Sequence, residues 1–308
     1  MEFSQSILQW YGHNKRVLPW RDNPEPYQVV VSEMMLQQTQ VPRVIEKFKE
    51  FMEKFPTLSD LAAASRADVI QAWSGLGYNR RALLLQKFAQ TIVEQYRGKI
   101  PESAEELLNL PGIGPYTAGA IASFAFNKPE PAVDVNVRRI YLRYFRGLDQ
   151  GLPMGKEDER QLYGLIVKSI PPDRSRDFHN ALMDFGSLVC TRNDPSCSAC
   201  PLQNSCQFYP LYGRQKEKAL FVMEKKTEKG VIENGRHVPN RIFRGRIVEF
   251  VRKNDGDLIN LTDLGKVVKS DYDQNDREWL LSLCLKLQDE ELIKYKVINE
   301  RIKLELHN

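Results

Sequence analysis

Four of the five cysteines fall within seventeen residues, in the spacing Cys190-x6-Cys197-x2-Cys200-x5-Cys206. Thiolates so close along the chain can wrap one compact metal centre, with the Cys-x2-Cys pair as adjacent ligands. In a reducing compartment such a cluster reads as a metal site rather than as disulfides. Zinc and an iron–sulfur cluster both suit four thiolates, and generic chemistry leaves the two open. Cys284 stands apart on an apolar helix face and reads as a core thiol.

The cysteine loop closes a long run of helical pattern. From about residue 3 to 209 the apolar residues recur at helical spacing, broken by short Gly/Pro turns and without alternating strand runs. Helices are predicted over 4–13, 27–38, 42–54, 67–74, 79–96, 103–109, 115–125, 135–144, 157–168 and 177–189. The fold class expected here is all-α. A chain of 308 residues exceeds one typical domain, so two or three compact units are expected. No stretch approaches the roughly 20 apolar residues of a membrane span. Met1–Ser6 lacks a basic-then-apolar pattern, so no secretory signal is read and a cytoplasmic location is expected. The net charge of +4 permits a polyanionic partner without requiring one.

Residues 210–240 are polar and read as a linker. Between Arg214 and Lys253 there are 12 Lys/Arg against five Asp/Glu. The remaining 241–308 read as a small α+β domain. Its elements are helix 244–253, a strand at Leu258–Leu261, helix 262–269 with Thr262 as N-cap, helix 276–289, and strands 292–298 and 301–306 about an Asn299-Glu300 turn. Helix, strand, two helices and a hairpin is the winged-helix order.

Three segments carry candidate chemistry. In Leu110-Pro111-Gly112-Ile113-Gly114-Pro115-Tyr116 the two glycines permit a tight hairpin, and the next helix offers free amides at its N-terminus, a natural phosphate site. A plain helix–helix turn reads equally well from Gly-x-Gly alone. Asp134 sits at the start of a helix after Pro129 and Pro131 and is expected as its N-cap, held ionised by amides and helix dipole. Glu33 lies among Val29, Val30, Val31, Met34, Met35 and Leu36. Burial there raises its pKa and keeps a proton available, whereas a place on a solvated edge does not.

Together these segments resemble the helix–hairpin–helix glycosylases of the endonuclease III superfamily, over roughly residues 5–209. The 6-2-5 cysteine spacing is that family's [4Fe–4S] loop, so the resemblance implies that Cys190, Cys197, Cys200 and Cys206 bind such a cluster and that Arg192 contacts DNA phosphate. Ser32-Glu33-Met34-Met35-Leu36-Gln37-Gln38-Thr39-Gln40 is similar to the signature of MutY-type adenine glycosylases. The resemblance implies a two-lobed fold and adenine removal from mispairs with guanine or 8-oxoguanine. Glu33 would protonate the base and Asp134 stabilise the sugar cation, with Asn136 in the same catalytic set. Gln37, Gln38 and Tyr78 would fill the space of the flipped base, and Arg21, Arg80, Gly112 and Gly114 would contact DNA. Where such enzymes often carry a second aromatic after the wedge tyrosine, this chain has Asn79.

Tyr116 stands where strand-nicking relatives place a lysine nucleophile. A phenol forms no Schiff base, so the resemblance implies a monofunctional enzyme acting through water. MutY enzymes also carry a Nudix-like domain that reads 8-oxoguanine, and the tail here does not resemble it. A thymine/uracil glycosylase acting opposite guanine is the second expectation, and a non-catalytic DNA-binding protein the third. Double-stranded DNA is the expected partner, the protein a nucleoid-associated monomer with no membrane contact. Lys294, Lys296, Arg301 and Lys303 are candidates for a basic wing.

Overall fold

The computed structural model describes residues 2–21, 24–150, 154–212, 228–298 and 301–307. By contact the chain divides into two compact units, Met1–Glu33 with Ile100–Lys225, and Met34–Lys99 with Lys226–Asn308. Each is assembled from two stretches of sequence. Among the described residues, no helix is long and apolar enough to cross a membrane.

In the first unit, α1 (Glu2–Asn14) packs on α11 (Ser175–Leu188), which also meets α8 (Pro115–Phe126) and α9 (Val135–Arg146). Phe3, Ile7, Tyr141, Phe178, Leu182 and Phe185 fill the shared core. Helix α8 is built largely of small residues, and Thr117 through Phe124 are all buried. Small side chains admit close backbone approach: a Cβ on Gly119 would lie 2.2 Å from the Pro131 carbonyl oxygen. That contact presses the loop before Asp134 onto α8. Helices α2 (Pro26–Leu36), α7 (Ala104–Leu107) and α10 (Lys156–Ser169) agree with the predicted helices except at their ends.

The second unit begins with α3 (Val41–Lys54), α4 (Leu58–Ala63), α5 (Arg66–Ala72) and α6 (Arg80–Tyr96). Helix α4 escapes a periodicity reading because six residues hold too few apolar repeats. Its start was nevertheless written in Thr57-x-x-Asp60, which forms a reciprocal capping box. The tail contributes β1 (Gly230–Glu233), β2 (Arg236–Pro239), α12 (Asn240–Lys253), β3 (Leu258–Ile259), α13 (Leu261–Val268), α14 (Arg277–Asp289), β4 (Ile293–Ile298) and β5 (Arg301–Leu306). The sheet order β3-β5-β4, antiparallel throughout, with three helices, is the expected winged-helix arrangement.

Two local expectations are corrected here. Residues 230–239, read as linker, form the β1–β2 hairpin about Asn234-Gly235, both at positive φ (50° and 74°). Asn-Gly is the favoured dipeptide for such a turn, and its flanking pattern was masked by the surrounding charge. Asn260, rather than Thr262, caps α13, accepting from the Asp263 amide at 2.8 Å. The strand therefore ends at Ile259 and Leu261 opens the helix. The Asn299-Glu300 turn and residues 213–227 of the expected linker lie outside the described residues.

The core of the tail does not end at its own boundary. Phe243, Ile247, Val251, Leu283, Cys284 and Leu287 cluster with Ile70 of α5. Cys284 is fully buried, as a core thiol should be. Arg252 donates through Nε and Nη2 to the Ile70 carbonyl at 3.1 and 2.8 Å, and Arg66 pairs with Glu291 at 2.7 Å.

Candidate active site

Glu33 is only 5% exposed. Val30, Val31, Met34 and Met35, its neighbours on α2, are all buried to within 1%. Burial pushes its carboxyl up to about 7, and a hydrogen bond from Tyr116 pulls partly against that rise. Its Oε2 is buried with no hydrogen-bond partner. A carboxyl of this kind holds a proton near neutrality and has one oxygen free for a group not in the protein. The solvated-edge reading of Glu33 is thereby excluded.

Tyr116 occupies the second position of α8, directly after the Gly112–Gly114 hairpin. Burial lifts its phenol well above the ordinary value, and the nearby Glu33 and Asp134 charges add to the rise. Gly112 has φ +77°, a backbone that favours glycine, whereas Gly114 has the ordinary extended backbone of an N-cap. No side chain caps α8 at Gly114, and a Cβ there would meet nothing within 4 Å. The bare turn leaves helix amides approachable from outside.

Asp134 is the N-cap of α9, as its sequence position implied. Its Oδ1 accepts from the Asn136 and Val137 amides, both at 2.8 Å, and its Oδ2 from Asn136 Nδ2 at 2.7 Å. Asn136 is fixed in turn by Arg139, whose Nη2 donates to Asn136 Oδ1 at 2.8 Å and to the Gly186 carbonyl at 2.7 Å. Asp134 was expected to be held ionised by amides and helix dipole, and those amides are in place, but they do not act unopposed. Burial is the larger influence and raises its pKa, while the donors pull it back. The two carboxyls thus share a direction and differ in solvation: three donors receive the Asp134 anion, and Glu33 Oε2 has none.

Arg21 was expected on DNA. The structure engages it with Asp184, through Nη1–Oδ2 at 2.8 Å and Nη2–Oδ1 at 3.0 Å. Asp184 is fully buried and also accepts from Arg16 Nε at 2.6 Å. A buried carboxylate needs such partners, so the guanidinium is committed to the protein rather than free for a phosphate. From there its charge still acts on Glu33. Asp184 carries no local motif, and sequence reading missed it. His179, also missed, is fully buried, and burial lowers its pKa to about 4. Its Nε2 accepts from the Ala132 amide at 3.2 Å while Nδ1 faces the Ser175 carbonyl and Ser123 hydroxyl at 2.9 Å. This fixes the neutral Nδ1–H tautomer and anchors the loop two residues before Asp134.

The remaining base-filling candidates belong to the second unit. Gln37 and Gln38 lie past the end of α2, which stops two residues before the predicted 38. Gln38 and Tyr78 both adopt left-handed backbone, φ +57° and +45°, and both are exposed. Such strain in bulky residues persists only where neighbours impose it. The neighbour here is Arg81, whose buried guanidinium donates to the Met34, Met35 and Gln37 carbonyls on one turn and to Leu76 and Gly77 on the other. Arg80, the residue singled out in sequence, is exposed at the start of α6. Arg81, Leu85, Phe88 and Ile92 share one buried face, and that spacing was the overlooked signal.

Cys190, Cys197, Cys200 and Cys206 are all half-buried and lie close enough to influence one another's charge. Burial, then the neighbouring thiols, pushes Cys200 up to about 12 and raises Cys197. Arg143 binds this loop to α9, donating to the Thr191 and Arg192 carbonyls at 2.6 and 2.9 Å and approaching Cys190 Sγ at 3.6 Å. Four soft donors with an adjacent cation fit a thiolate-ligated cluster. Among the described residues no three Cys, His, Asp or Glu side chains are gathered about one point for a single ion. The Arg192 side chain is exposed.

The profile of the HhH-GPD superfamily base excision DNA repair proteins matches residues 31–163. Human adenine DNA glycosylase is 45% identical over 215 residues, 67% of this chain and 39% of that protein. The adenine DNA glycosylase of Buchnera aphidicola subsp. Schizaphis graminum is 36% identical over 292 residues, 88% of this chain and 83% of its own. Among solved structures, a thermostable thymine-DNA glycosylase superposes with a TM-score of 0.63 at 29% identity, over 68% of this chain and 95% of that one. This chain spans about two fifths of the human relative's length.

Proposed function

The chain belongs to the adenine DNA glycosylases of the HhH-GPD superfamily, and from that membership we propose that it is a monofunctional glycosylase releasing adenine mispaired in double-stranded DNA with guanine or 8-oxoguanine. The observation that carries this reading is Glu33, a buried carboxyl with a pKa near 7 and an unpartnered oxygen. Glu33 donates its proton to a ring nitrogen of the extruded adenine, so the base departs with the electron pair of the glycosidic C–N bond. The Asp134 anion, held by its three donors, stabilises the positive charge left on the sugar. Water adds to the anomeric carbon, its proton passes to a carboxylate of the pair, and an abasic site and free adenine result. Tyr116 holds Glu33 through its hydroxyl and offers no amine for a Schiff base.

Cys190, Cys197, Cys200 and Cys206 would hold a [4Fe–4S] cluster. When bound, the cluster supplies cross-links that fix the loop carrying Arg192. Arg143 presets that loop by binding its carbonyls. The second reading, thymine or uracil release opposite guanine, rests on the likeness to the solved thymine-DNA glycosylase. The test is a panel of duplexes, each with one mispair, incubated with the protein and then treated with alkali. Adenine release opposite guanine or 8-oxoguanine is expected, with no product trapped by borohydride. Release of thymine or uracil alone selects the second reading. No release from any duplex overturns both.

A further inference from the structure

The chemistry proposed for Glu33 and Asp134 leaves a buried titratable group of the first unit unused. His179, on α11, has no exposed surface, and its Nε2 accepts from the Ala132 amide at 3.2 Å. A buried backbone N–H must be received by something. Here the acceptor is a side chain 47 residues further along the chain. On the other side of the ring, Nδ1 lies 2.9 Å from both the Ser175 carbonyl and the Ser123 hydroxyl.

The same peptide group is gripped from a second direction. A Cβ on Gly119 would lie 2.2 Å from the Pro131 carbonyl oxygen, 2.9 Å from its carbon and 3.4 Å from the Ala132 nitrogen. The 131–132 peptide therefore rests on the backbone of α8, where only glycine leaves room, while its N–H is tied to α11. Pro131 fixes its own φ, and Asp134 follows three residues later as the cap of α9. The two gripping helices are themselves joined. Arg176, one turn before His179, donates through Nε and Nη2 to the Phe124 and Ala125 carbonyls at the end of α8, at 2.5 and 2.7 Å.

Helix α8 also carries the partner of the other carboxyl. Tyr116, Gly119 and Ser123 recur at i, i+3 and i+7, which is one face of a helix. Tyr116 hydrogen-bonds Glu33, Gly119 receives the 131–132 peptide, and Ser123 meets His179. One rigid element thus stands behind both carboxyls.

We propose that His179 and Gly119 are positioning residues, clamping the Pro131–Ala132 peptide so that α8 sets the place of the Asp134 carboxylate relative to Glu33. Both act through the loop rather than on the reacting atoms. An anion that stabilises a sugar cation must stand at the right distance, and a displacement of about 1 Å can cost about 10²-fold in rate. A protonated ring would set its Nε2–H against the Ala132 N–H, so the clamp needs the neutral imidazole that burial maintains. The proposal rests on the glycosylase reading given above.

The test compares the full chain with His179→Phe, His179→Gln and Gly119→Ala on a duplex with a single adenine–guanine mispair. Single-turnover release gives the rate at saturating enzyme and the enzyme concentration that gives half that rate. His179→Phe keeps a ring but deletes the acceptor. Its saturating rate is expected to fall about 10²-fold, with half-saturation changed by no more than about threefold. His179→Gln can bring an amide oxygen to the Ala132 N–H and should recover about tenfold of that loss. Gly119→Ala pushes the same peptide from the other side and should lower the saturating rate by a similar factor of about 10². A histidine that merely fills the core would lower the melting temperature without this order of rates.

Parental rates in folded His179→Phe and Gly119→Ala overturn the proposal, and so does a glutamine variant no faster than the phenylalanine one. Should the variants fail to fold, hydrogen exchange in the unmodified chain decides. The Ala132 amide is expected to be strongly protected, and exchange at the rate of a free amide overturns the clamp. Release by the unmodified chain with undiminished rates in the variants sinks this proposal alone. No release by the unmodified chain from any duplex sinks the glycosylase reading, and the clamp's role with it.

Discussion

The carboxyl site of the first unit and the arginines of the second handle charge in opposite ways. At the carboxyl site the ionisable groups are buried and tuned: Glu33 carries an unpartnered oxygen, Asp134 has three donors, and Arg21 is spent on Asp184. In the second unit Arg80 is exposed, and the buried Arg81 beside it binds the carbonyls of two turns. Proton transfer near neutrality needs a displaced pKa, which burial supplies for Glu33, whereas holding a polyanion needs cations that remain accessible and exchangeable.

The largest expected effect lies at the carboxyl site. Asp134→Asn keeps an acceptor for the α9 amides but removes the charge, and single-turnover base release should fall by about 10³-fold or more. Duplex affinity should stay within about threefold. A variant that still released base at the parental rate would remove Asp134 from the chemistry and erase the contrast between the two regions.

Glu33→Gln comes next, with a drop of about 10²–10⁴-fold in release. Parental release should itself decline as pH rises through about 7, where the Glu33 proton is lost. The same group leaves a mark on stability. Its folded pKa lies above the unfolded value, so its contribution is fully present below about pH 4.5 and is lost as pH rises to about 7. The variant should therefore be more stable than the parent by about 3 kcal/mol at pH 8, with the gap closing towards pH 4. Chemical denaturation at the two pH values measures this, and a gap independent of pH would mean that Glu33 is not buried as described.

The smallest effects separate the two adjacent arginines. Arg81→Met leaves buried carbonyls on both turns without their donor and should cost about 3 kcal/mol of unfolding free energy. Arg80→Ala, in water one residue earlier, should change stability by no more than about 0.5 kcal/mol. Equal effects from the two would show that exposure does not separate scaffold from contact here.

Much of this was legible locally. The helices follow from 3.6-residue periodicity, and Asp134 as a cap follows from its place after two prolines at a helix start. The winged-helix order of the tail was also readable, because each element is set by its own short pattern. What escaped was either too short for a pattern, as with α4, or hidden by surrounding charge, as with the Asn234-Gly235 hairpin.

The sequence by itself determined the helical class, the cysteine spacing, the Gly112–Gly114 turn and the carboxyls at 33 and 134. These are properties of residues close along the chain, where dihedral preference and periodicity act. Only the tertiary structure decided that Glu33 is dry enough to hold its proton near pH 7, and that Arg21 is committed to an aspartate 163 residues away. It also decided that Asn79 receives Arg252 from the tail, 173 residues on. Desolvation and ion pairing depend on which distant groups arrive at a point in space, and spacing along a single chain carries no record of that.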